Sequence, residues 1–224
     1  MTLLRGMMLC MLFLCSSLFF GVSESSSLNS PQGKDIPELR KIFLDHQRDR
    51  GNDPFPEFDA QGKELPRKTW PVLADQVIAR HDDERRASVH ELLHAGKIQT
   101  GQDFWFAAMV FQHGQNPEDY LLAHVFASTA VAKGNRNGLW LAAASLDRYL
   151  LSVGKKQIYG TQFDLEKGAS WTQKNYDKDL LDDNLCAASC VTSYDQQQKQ
   201  IRAAQHSGEG LDANTGVMAC VRGQ

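Results

Sequence analysis

The chain contains 224 residues, of which 42% are hydrophobic, and its formal net charge at pH 7 is −3. A chain of this length can bury a sizeable core and suits a single domain. Because the weak negative charge comes without a basic stripe, the composition argues against a nucleic-acid-binding protein.

Residues 1–25 have the three parts of a secretory signal peptide. Arg5 supplies the positive charge, an apolar run extends from Met7 to Phe20, and small residues follow from Gly21 to Ser23. The apolar run is short for a permanent membrane anchor. We therefore expect leader cleavage, export to the periplasm or the medium, and no stable membrane insertion afterwards.

The remaining chain divides into three parts. Residues 26–36 are polar and serine-rich, which is typical of a flexible linker. Residues 37–206 are predicted to form a helical domain, and residues 207–224 a C-terminal tail. The fold class that this pattern predicts is all-α: a single compact, bundle-like helical domain with a short irregular extension after its central helices.

The first part of the helical domain predicts helices separated by a long loop. A helix begins at Pro37 and ends near Gly51, and its inward residues follow helical spacing: Leu39, Ile42, Phe43 and His46. Prolines and glycines make residues 52–68 a long loop. A further helix is expected from Trp70 to about His81. The acidic pair Asp82-Asp83 is then expected to begin a new turn and a helix that stops at Gly96.

This last helix carries a literal H-E-x-x-H motif, from His90 to His94. In zinc hydrolases the two histidines bind the metal and the glutamate, here Glu91, acts as general base. Both histidines nevertheless lie to one side of the apolar stripe, and Lys97 and Thr100 stand where the longer metzincin pattern has glycine and histidine. We expect solvated surface histidines, favour no metal, and keep the zinc-dependent hydrolase as an alternative.

Three consecutive central helices carry start and stop signals that agree with their apolar content. Thr100 and Asp103 approximate a capping box, Asn116 and Asn137 are expected N-caps, and glycines end each helix: Gly114, Gly134 and Gly154. These helices are rich in alanine and lack a continuous polar face. They are therefore expected to form the core.

The carboxylate of Asp147 falls on an apolar stripe of the third central helix. A lone buried carboxylate is costly, so it needs a partner. We expect that partner to come from another helix. His113 and His124 are the first candidates, and Arg85 or Arg86 the next.

Beyond the central helices the sequence becomes polar. Lys155 to Phe163 is expected to form a turn and a short extended segment that folds back over the helix ends. Asp164 to Lys178 is loop-like, and Leu180 to about Gln205 is predicted to be one helix. Its glutamines are expected to form a solvated outer face: Gln196, Gln197, Gln198 and Gln200.

Three cysteines remain after removal of the leader. In an oxidising compartment Cys220 can pair with Cys186 or with Cys190 and so tie the tail to the last helix. The third cysteine would then stay free or pair between chains.

Four motifs together resemble a family of bacterial proteins known only as a domain of unknown function. They are AA-x-x-FQHG (Ala107 to Gly114), Ala123-His124, WLAA-x-x-LDR (Trp140 to Arg148) and G-x-x-Q-x-YGTQF (Gly154 to Phe163). The resemblance covers residues 70–200, and the YGTQF block is its most specific part. It implies a compact helical domain with six polar residues at matching positions: Gln112, His113, Asp147, Arg148, Gln157 and Gln162. It implies no reaction.

These observations predict one candidate pocket, lined by Gln112, His113, His124, Asp147, Arg148, Gln157, Tyr159 and Gln162. A carboxylate with histidines can bind a metal or act as an acid–base pair, and Arg148 suits an anionic group. The same residues can also form a purely structural polar network. An exported enzyme and a non-catalytic binding or partner protein both remain open, and the sequence indicates no particular cofactor, partner or reaction.

Overall fold

The structure is a computed structural model that describes residues 34–52, 69–166 and 170–207. This part of the chain contains seven helices and one two-stranded antiparallel sheet. In chain order they are α1 (Pro37–Asp49), α2 (Asp75–His94), α3 (Gly101–Phe111), α4 (Pro117–Ala132), α5 (Gly138–Ser152), β1 (Phe163–Glu166), β2 (Ser170–Gln173), α6 (Asp183–Ala188) and α7 (Tyr194–Ser207). The mainly helical content confirms the predicted all-α class.

Several sequence predictions fall outside the described residues. They concern the signal peptide, nearly all of the linker, most of the long loop, and the C-terminal tail. Within the described part, no helix has both the length and the apolarity needed to cross a bilayer.

The core is built from the three central helices and α1. Helix α4 packs against α3 and α5, and α1 packs against α3. Alanines line these contacts, and aromatic rings fill the space beside them: Phe43 stacks on Phe106 at 4.6 Å between ring centroids. Gly138 is required at the α4–α5 crossing, because a Cβ there would lie 2.5 Å from the carbonyl oxygen of Ala127. Small residues therefore set the distance between these helices.

Two of the predicted helix caps are confirmed, and the third, Asn137, has the predicted N-cap position but not the capping bond. Thr100 and Asp103 form a reciprocal capping box, and Asn116 accepts a hydrogen bond from the backbone N–H of Asp119. Asn137 makes no capping bond. The side chain of Asn135 instead accepts from the N–H of Asn137, at 3.1 Å. Two side chains thus start α3 and α4, whereas a turn residue orients the start of α5.

Helix α2 differs from the two shorter helices that were predicted. It begins at Asp75 rather than at Trp70, because a proline follows Trp70 and disfavours helical backbone there. It then continues through Asp82-Asp83 without a break. Asp82 is buried and forms ion pairs with Arg50 and Arg85, so this acid is a tertiary contact and not a helix start.

The C-terminal part is also more divided than predicted. The single helix expected from Leu180 to Gln205 is wrong: α6 and α7 are separated by a turn at Cys190, whose φ is +58°. The predicted loop after Phe163 contains the hairpin β1–β2, in which Phe163 pairs with Gln173. A four-residue strand is too short to produce a clear alternating pattern, which is why the sequence did not reveal it.

The structure describes two of the three cysteines that follow the leader. No disulfide joins two described residues: Cys186 is buried with a free thiol, whereas Cys190 is disulfide-bonded. Cys220 lies outside the described residues. Of the two pairings considered for Cys220, the one with Cys186 is therefore not formed.

Candidate functional site

Asp147 is fully buried, and its carboxylate is bound by backbone rather than by another charged group. Oδ1 accepts hydrogen bonds from the N–H groups of Ile158 (2.8 Å) and Tyr159 (3.0 Å). Oδ2 accepts from the N–H (2.9 Å) and the hydroxyl (2.8 Å) of Thr161. The expected partners His113, His124, Arg85 and Arg86 are wrong. The partner is the segment that follows α5.

We call residues 155–162 the return segment. Burial raises the pKa of Asp147, while the four hydrogen bonds favour its charged form. Because every hydrogen bond to the carboxylate comes from the return segment, Asp147 fixes this segment over the end of α5. The segment folds back onto α5 as predicted, and Asp147, the carboxylate that was expected to need a partner, holds it there.

The amide of Gln157 holds the return segment to the hairpin region. Gln157 is fully buried, and its Nε2 donates to the carbonyl oxygens of Gln162 (3.0 Å) and Lys174 (2.9 Å). Its Oε1 accepts from the N–H of Gln162 at 2.9 Å. Gln162 in turn approaches the hydroxyl of Thr161 at 3.0 Å. These two glutamines are engaged within the protein.

A second glutamine pair joins the return segment to α7. Gln197 is fully buried, so the prediction that it belongs to a solvated face is wrong. Its Nε2 donates to the carbonyl oxygens of Tyr159 (3.0 Å) and Thr192 (2.9 Å). Gln173 donates to the carbonyl oxygen of Gly160 at 2.7 Å. A side chain at Gly160 would collide with this pair, and the φ of Gly160 is +75°, so glycine is required there.

Two of the other predicted pocket residues also have internal partners. Nδ1 of His124 lies 2.9 Å from the carbonyl oxygen of Ala142, which makes it a donor that joins α4 to α5. Gln112 is buried, and its Nε2 lies 3.2 Å from the sulfur of Met109. Neither side chain has a hydrogen bond to the return segment among the described residues. Whether the eight predicted residues line one pocket stays a prediction.

His113 belongs to a different group of polar side chains. Its Nδ1 lies 2.9 Å from Nε2 of His46, and the two rings stack at 4.9 Å between centroids. His46 is fully buried in α1, and its Nδ1 lies 3.0 Å from Nε2 of Gln47. A pair of histidines is thus formed between the residue after the C-cap of α3 and the last turn of α1.

Four arginines act electrostatically on this histidine pair. We call the whole set the histidine–arginine cluster; its members are His46, His113, Arg50, Arg85, Arg86 and Arg148. Burial lowers the pKa of His113, and the charges of Arg50, Arg148 and Arg86 lower it further. Burial also lowers the pKa of His46, assisted by His113, Arg50, Arg85 and Arg86. Both histidines are therefore neutral near pH 7.

Aspartates neutralise three of these arginines. Arg85 forms ion pairs with Asp49 (2.6 Å) and Asp82 (3.3 Å), and Arg50 pairs with Asp82. Arg86 pairs with Asp83 and with Asp119, the latter at 3.5 Å. The cluster is thus a network in which most charges are paired.

Arg148 is the exception. Among the described residues its guanidinium has neither an ion pair nor a hydrogen-bond partner, and its Nε is buried without an acceptor. Burial lowers the pKa of Arg148, the nearby Tyr120 opposes this change, and the charge of Arg50 adds to it. Arg86, which is 7% exposed, also has a buried nitrogen, Nη1, without an acceptor. Arg86, which is buried, and Arg148, which is half-buried, therefore each have one buried guanidinium nitrogen without an acceptor.

The H-E-x-x-H motif lies on the surface. His90, Glu91 and His94 are exposed, and the histidine rings are 6.4 Å apart at similar tilt. The ring of His90 packs edge-to-face with the ring of Phe111, at 5.1 Å between the ring centroids. Over residues 34–52, 69–166 and 170–207, no group of three His, Cys, Asp or Glu side chains is placed to hold a metal ion.

A separate cleft of about 400 Å³ lies between β2 and α7. Its lining includes Trp171, Lys174, Tyr176, Tyr194, Gln198 and Gln205. Two of its polar side chains are already engaged: Lys174 pairs with Asp164 at 2.9 Å, and Gln205 donates to the carbonyl oxygen of Trp171 at 2.9 Å. Since the cleft contributes no unused buried polar group, it is a weaker candidate than the histidine–arginine cluster.

Comparison with protein-family models, curated proteins and solved structures finds no match to this chain. The resemblance to a bacterial family therefore stays a prediction. Sequence reasoning selected His113 and Arg148 but missed Gln47 and Arg50 as site residues. A signal for His46 was present, because it follows Leu39, Ile42 and Phe43 on the inward face of α1.

We expect Asp147→Ala to lower the free energy of unfolding by about 3–5 kcal/mol, because it leaves buried N–H groups of the return segment without an acceptor. Urea denaturation measures this change. The control is Asp179→Ala, since that carboxylate is 79% exposed and bonds only Lys178. Equal loss in the two variants would contradict the anchoring role.

Acid should destabilise the protein below about pH 6.5. The folded state keeps His46 and His113 neutral, whereas the unfolded chain takes up a proton at each. The stability is therefore complete above the ordinary histidine pKa and decreases below it, by up to about 1.4 kcal/mol per histidine and pH unit. Urea denaturation at several pH values between 7 and 5 tests this. A His46→Gln, His113→Gln double variant should show a smaller dependence, and an unchanged dependence would contradict it.

Proposed function

We propose that this protein is exported and binds a small anionic ligand at the histidine–arginine cluster. The observation that carries the proposal is Arg148, a guanidinium with buried Nε and without an ion pair or hydrogen bond among the described residues. The signal-like residues 1–25 support export.

Arg148 is a half-buried cation without an ion-pair partner among the described residues, and its Nε is buried without an acceptor. Taking a charged group out of water costs several kcal/mol unless a partner of opposite charge compensates for it. Arg50, Arg85 and Arg86 have aspartate partners, but Arg148 has none. An anionic ligand would supply the missing partner, and arginine binds carboxylate and related groups through two parallel hydrogen bonds.

The surrounding side chains support the same ligand class. Arg86 adds a second unused donor, its buried Nη1. His113 is half-buried, so the cluster has a solvent-facing side. The charge of Arg148 lowers the pKa of His113, so the two side chains interact electrostatically. Arg86 of α2, His113 just after α3 and Arg148 of α5 are the residues that the proposal assigns to the anion.

Binding is proposed rather than catalysis. The candidate acid–base pair of Asp147 with a histidine is wrong, because that carboxylate is bound by the return segment. A metal-assisted hydrolase centred on His90 and His94 remains the alternative, and its support is the exposed, neighbouring position of the two rings.

The direct test of the proposed site is Arg148→Met. We expect this variant to weaken the binding of sulfate, phosphate or acetate by at least about ten-fold, since it removes a charge-assisted contact. Its melting temperature should be unchanged or higher, because a half-buried cation without an ion-pair partner is removed. Calorimetric titration and thermal unfolding measure both quantities.

The matched control is Arg136→Met, which changes an exposed arginine in the turn before α5. It should leave both quantities unchanged. If no anion binds the unaltered protein, or if both arginine variants bind equally well, the proposed function is wrong.

Elemental analysis addresses the alternative. We expect His90→Ala and His94→Ala to leave both the fold and the metal content unchanged, because both side chains are exposed on one face of α2. The protein should be purified from the exported fraction without a chelator, together with a His113→Ala variant. Stoichiometric zinc that is lost only with His94→Ala would support the hydrolase. Metal lost only with His113→Ala would place a metal, instead of an anion, in the cluster.

A further inference from the structure

We propose that Gln47 is a positioning residue that fixes the tautomers of His46 and His113, so that the site offers only hydrogen-bond donors and selects oxyanions that carry no proton. This inference rests on the proposed function, since it concerns the ligand class of the same site. The ligand group it predicts is a carboxylate or a sulfate.

Gln47 sets the direction of the hydrogen bonds that join Gln47, His46 and His113. Nε2 of Gln47 is an amide nitrogen and can only donate, so Nδ1 of His46, at 3.0 Å, must accept. A neutral imidazole carries its single proton on the other nitrogen, which places the proton of His46 on Nε2. That nitrogen lies 2.9 Å from Nδ1 of His113, which must therefore accept. The proton of His113 is consequently on Nε2.

Both rings must be neutral, because a doubly protonated imidazole has no acceptor nitrogen. The charged groups that act on the pair are arginines of α1, α2 and α5: Arg50, Arg85, Arg86 and Arg148. They disfavour a further positive charge, and burial acts in the same direction. The donor of Gln47 thus fixes the tautomer of His46 and, through it, that of His113, while both rings stay neutral.

His113 Nε2–H then joins the unused donors of Arg86 and Arg148. Among the described residues, Nε2 of His113 has no recorded partner, and it is not one of the fully buried atoms without partners. It therefore faces the accessible side of the cluster. Arginine has no acceptor, so the unused groups of these three side chains are all donors.

A set of donors discriminates between oxyanions of similar shape and charge. Sulfate and carboxylate oxygens are acceptors only, whereas hydrogenphosphate carries a proton that needs an acceptor. Leaving that proton without a partner lowers affinity, because a buried unsatisfied donor is costly. Sulfate and hydrogenphosphate are both tetrahedral dianions near pH 8, so they form a matched pair of probes.

The first experiment needs no ligand. Long-range ¹H–¹⁵N correlation spectra of the full chain near pH 8 distinguish the two histidine tautomers. We expect His46 and His113 to be protonated at Nε2. In Gln47→Met the donor is lost, and both rings should show a tautomer mixture. A pyridine-like Nε2 in His113 of the unaltered protein, or unchanged tautomers in Gln47→Met, would overturn the inference.

The second experiment measures affinity. Sulfate should bind at least about ten-fold more tightly than hydrogenphosphate, which corresponds to one unmatched hydrogen bond. Acetate and sulfate titrations show which of the two predicted oxyanions is preferred. In Gln47→Met the apparent dissociation constant for sulfate should rise by about two-fold or more, since at most part of the protein presents the correct tautomer. Gln99→Met, at an exposed glutamine, is the control and should change nothing.

The two proposals fail in different ways. If Arg148→Met binds sulfate as well as the unaltered protein does, the proposed function is wrong whatever the tautomers are. If Arg148 is required but hydrogenphosphate and sulfate bind equally, the anion site stands and the selection of unprotonated oxyanions is wrong.

Discussion

The attachment of the return segment to Asp147 is the interaction on which the C-terminal part of the structure depends. Four hydrogen bonds to one buried carboxylate hold this segment against α5. Gln157 then joins the segment to the residue directly after β2, because it donates to the carbonyl oxygen of Lys174. Gln197 joins the segment to α7. The hairpin and α7 are thus connected to the helical core through this segment, whose Tyr159 also packs against the apolar cluster of Ala143, Cys186 and Val191.

Sequence patterns predicted the parts of the fold in which local signals and burial agree. The central helices, the capping box at Thr100 and the cap at Asn116 are of this kind. Prediction failed where a tertiary contact changed the meaning of a residue. Asp82 was interpreted as a helix start because acids favour that position, but it is a buried partner of Arg50 and Arg85. Gln197 was interpreted as surface because glutamine is usually exposed.

The candidate site was only partly predictable for a similar reason. The apolar stripe around Asp147 correctly indicated a buried carboxylate, but backbone N–H groups leave no trace in residue types, so side chains of other helices were expected instead. His46 was visible as a polar residue on an inward face. Its role depends on His113, which is 67 positions away along the chain. A single sequence gives no measure of such a distance, and the arginines around both rings belong to three different helices.

The glutamine contacts differ from the arginine contacts in one physical respect. The amides of Gln157, Gln173 and Gln197 carry no charge, so dissolved salt scarcely alters their hydrogen bonds. Interactions between charged groups weaken as ionic strength rises, most where water reaches them. A rise in ionic strength therefore leaves the scaffold around the return segment unchanged, while it weakens the electric field where water reaches the cluster.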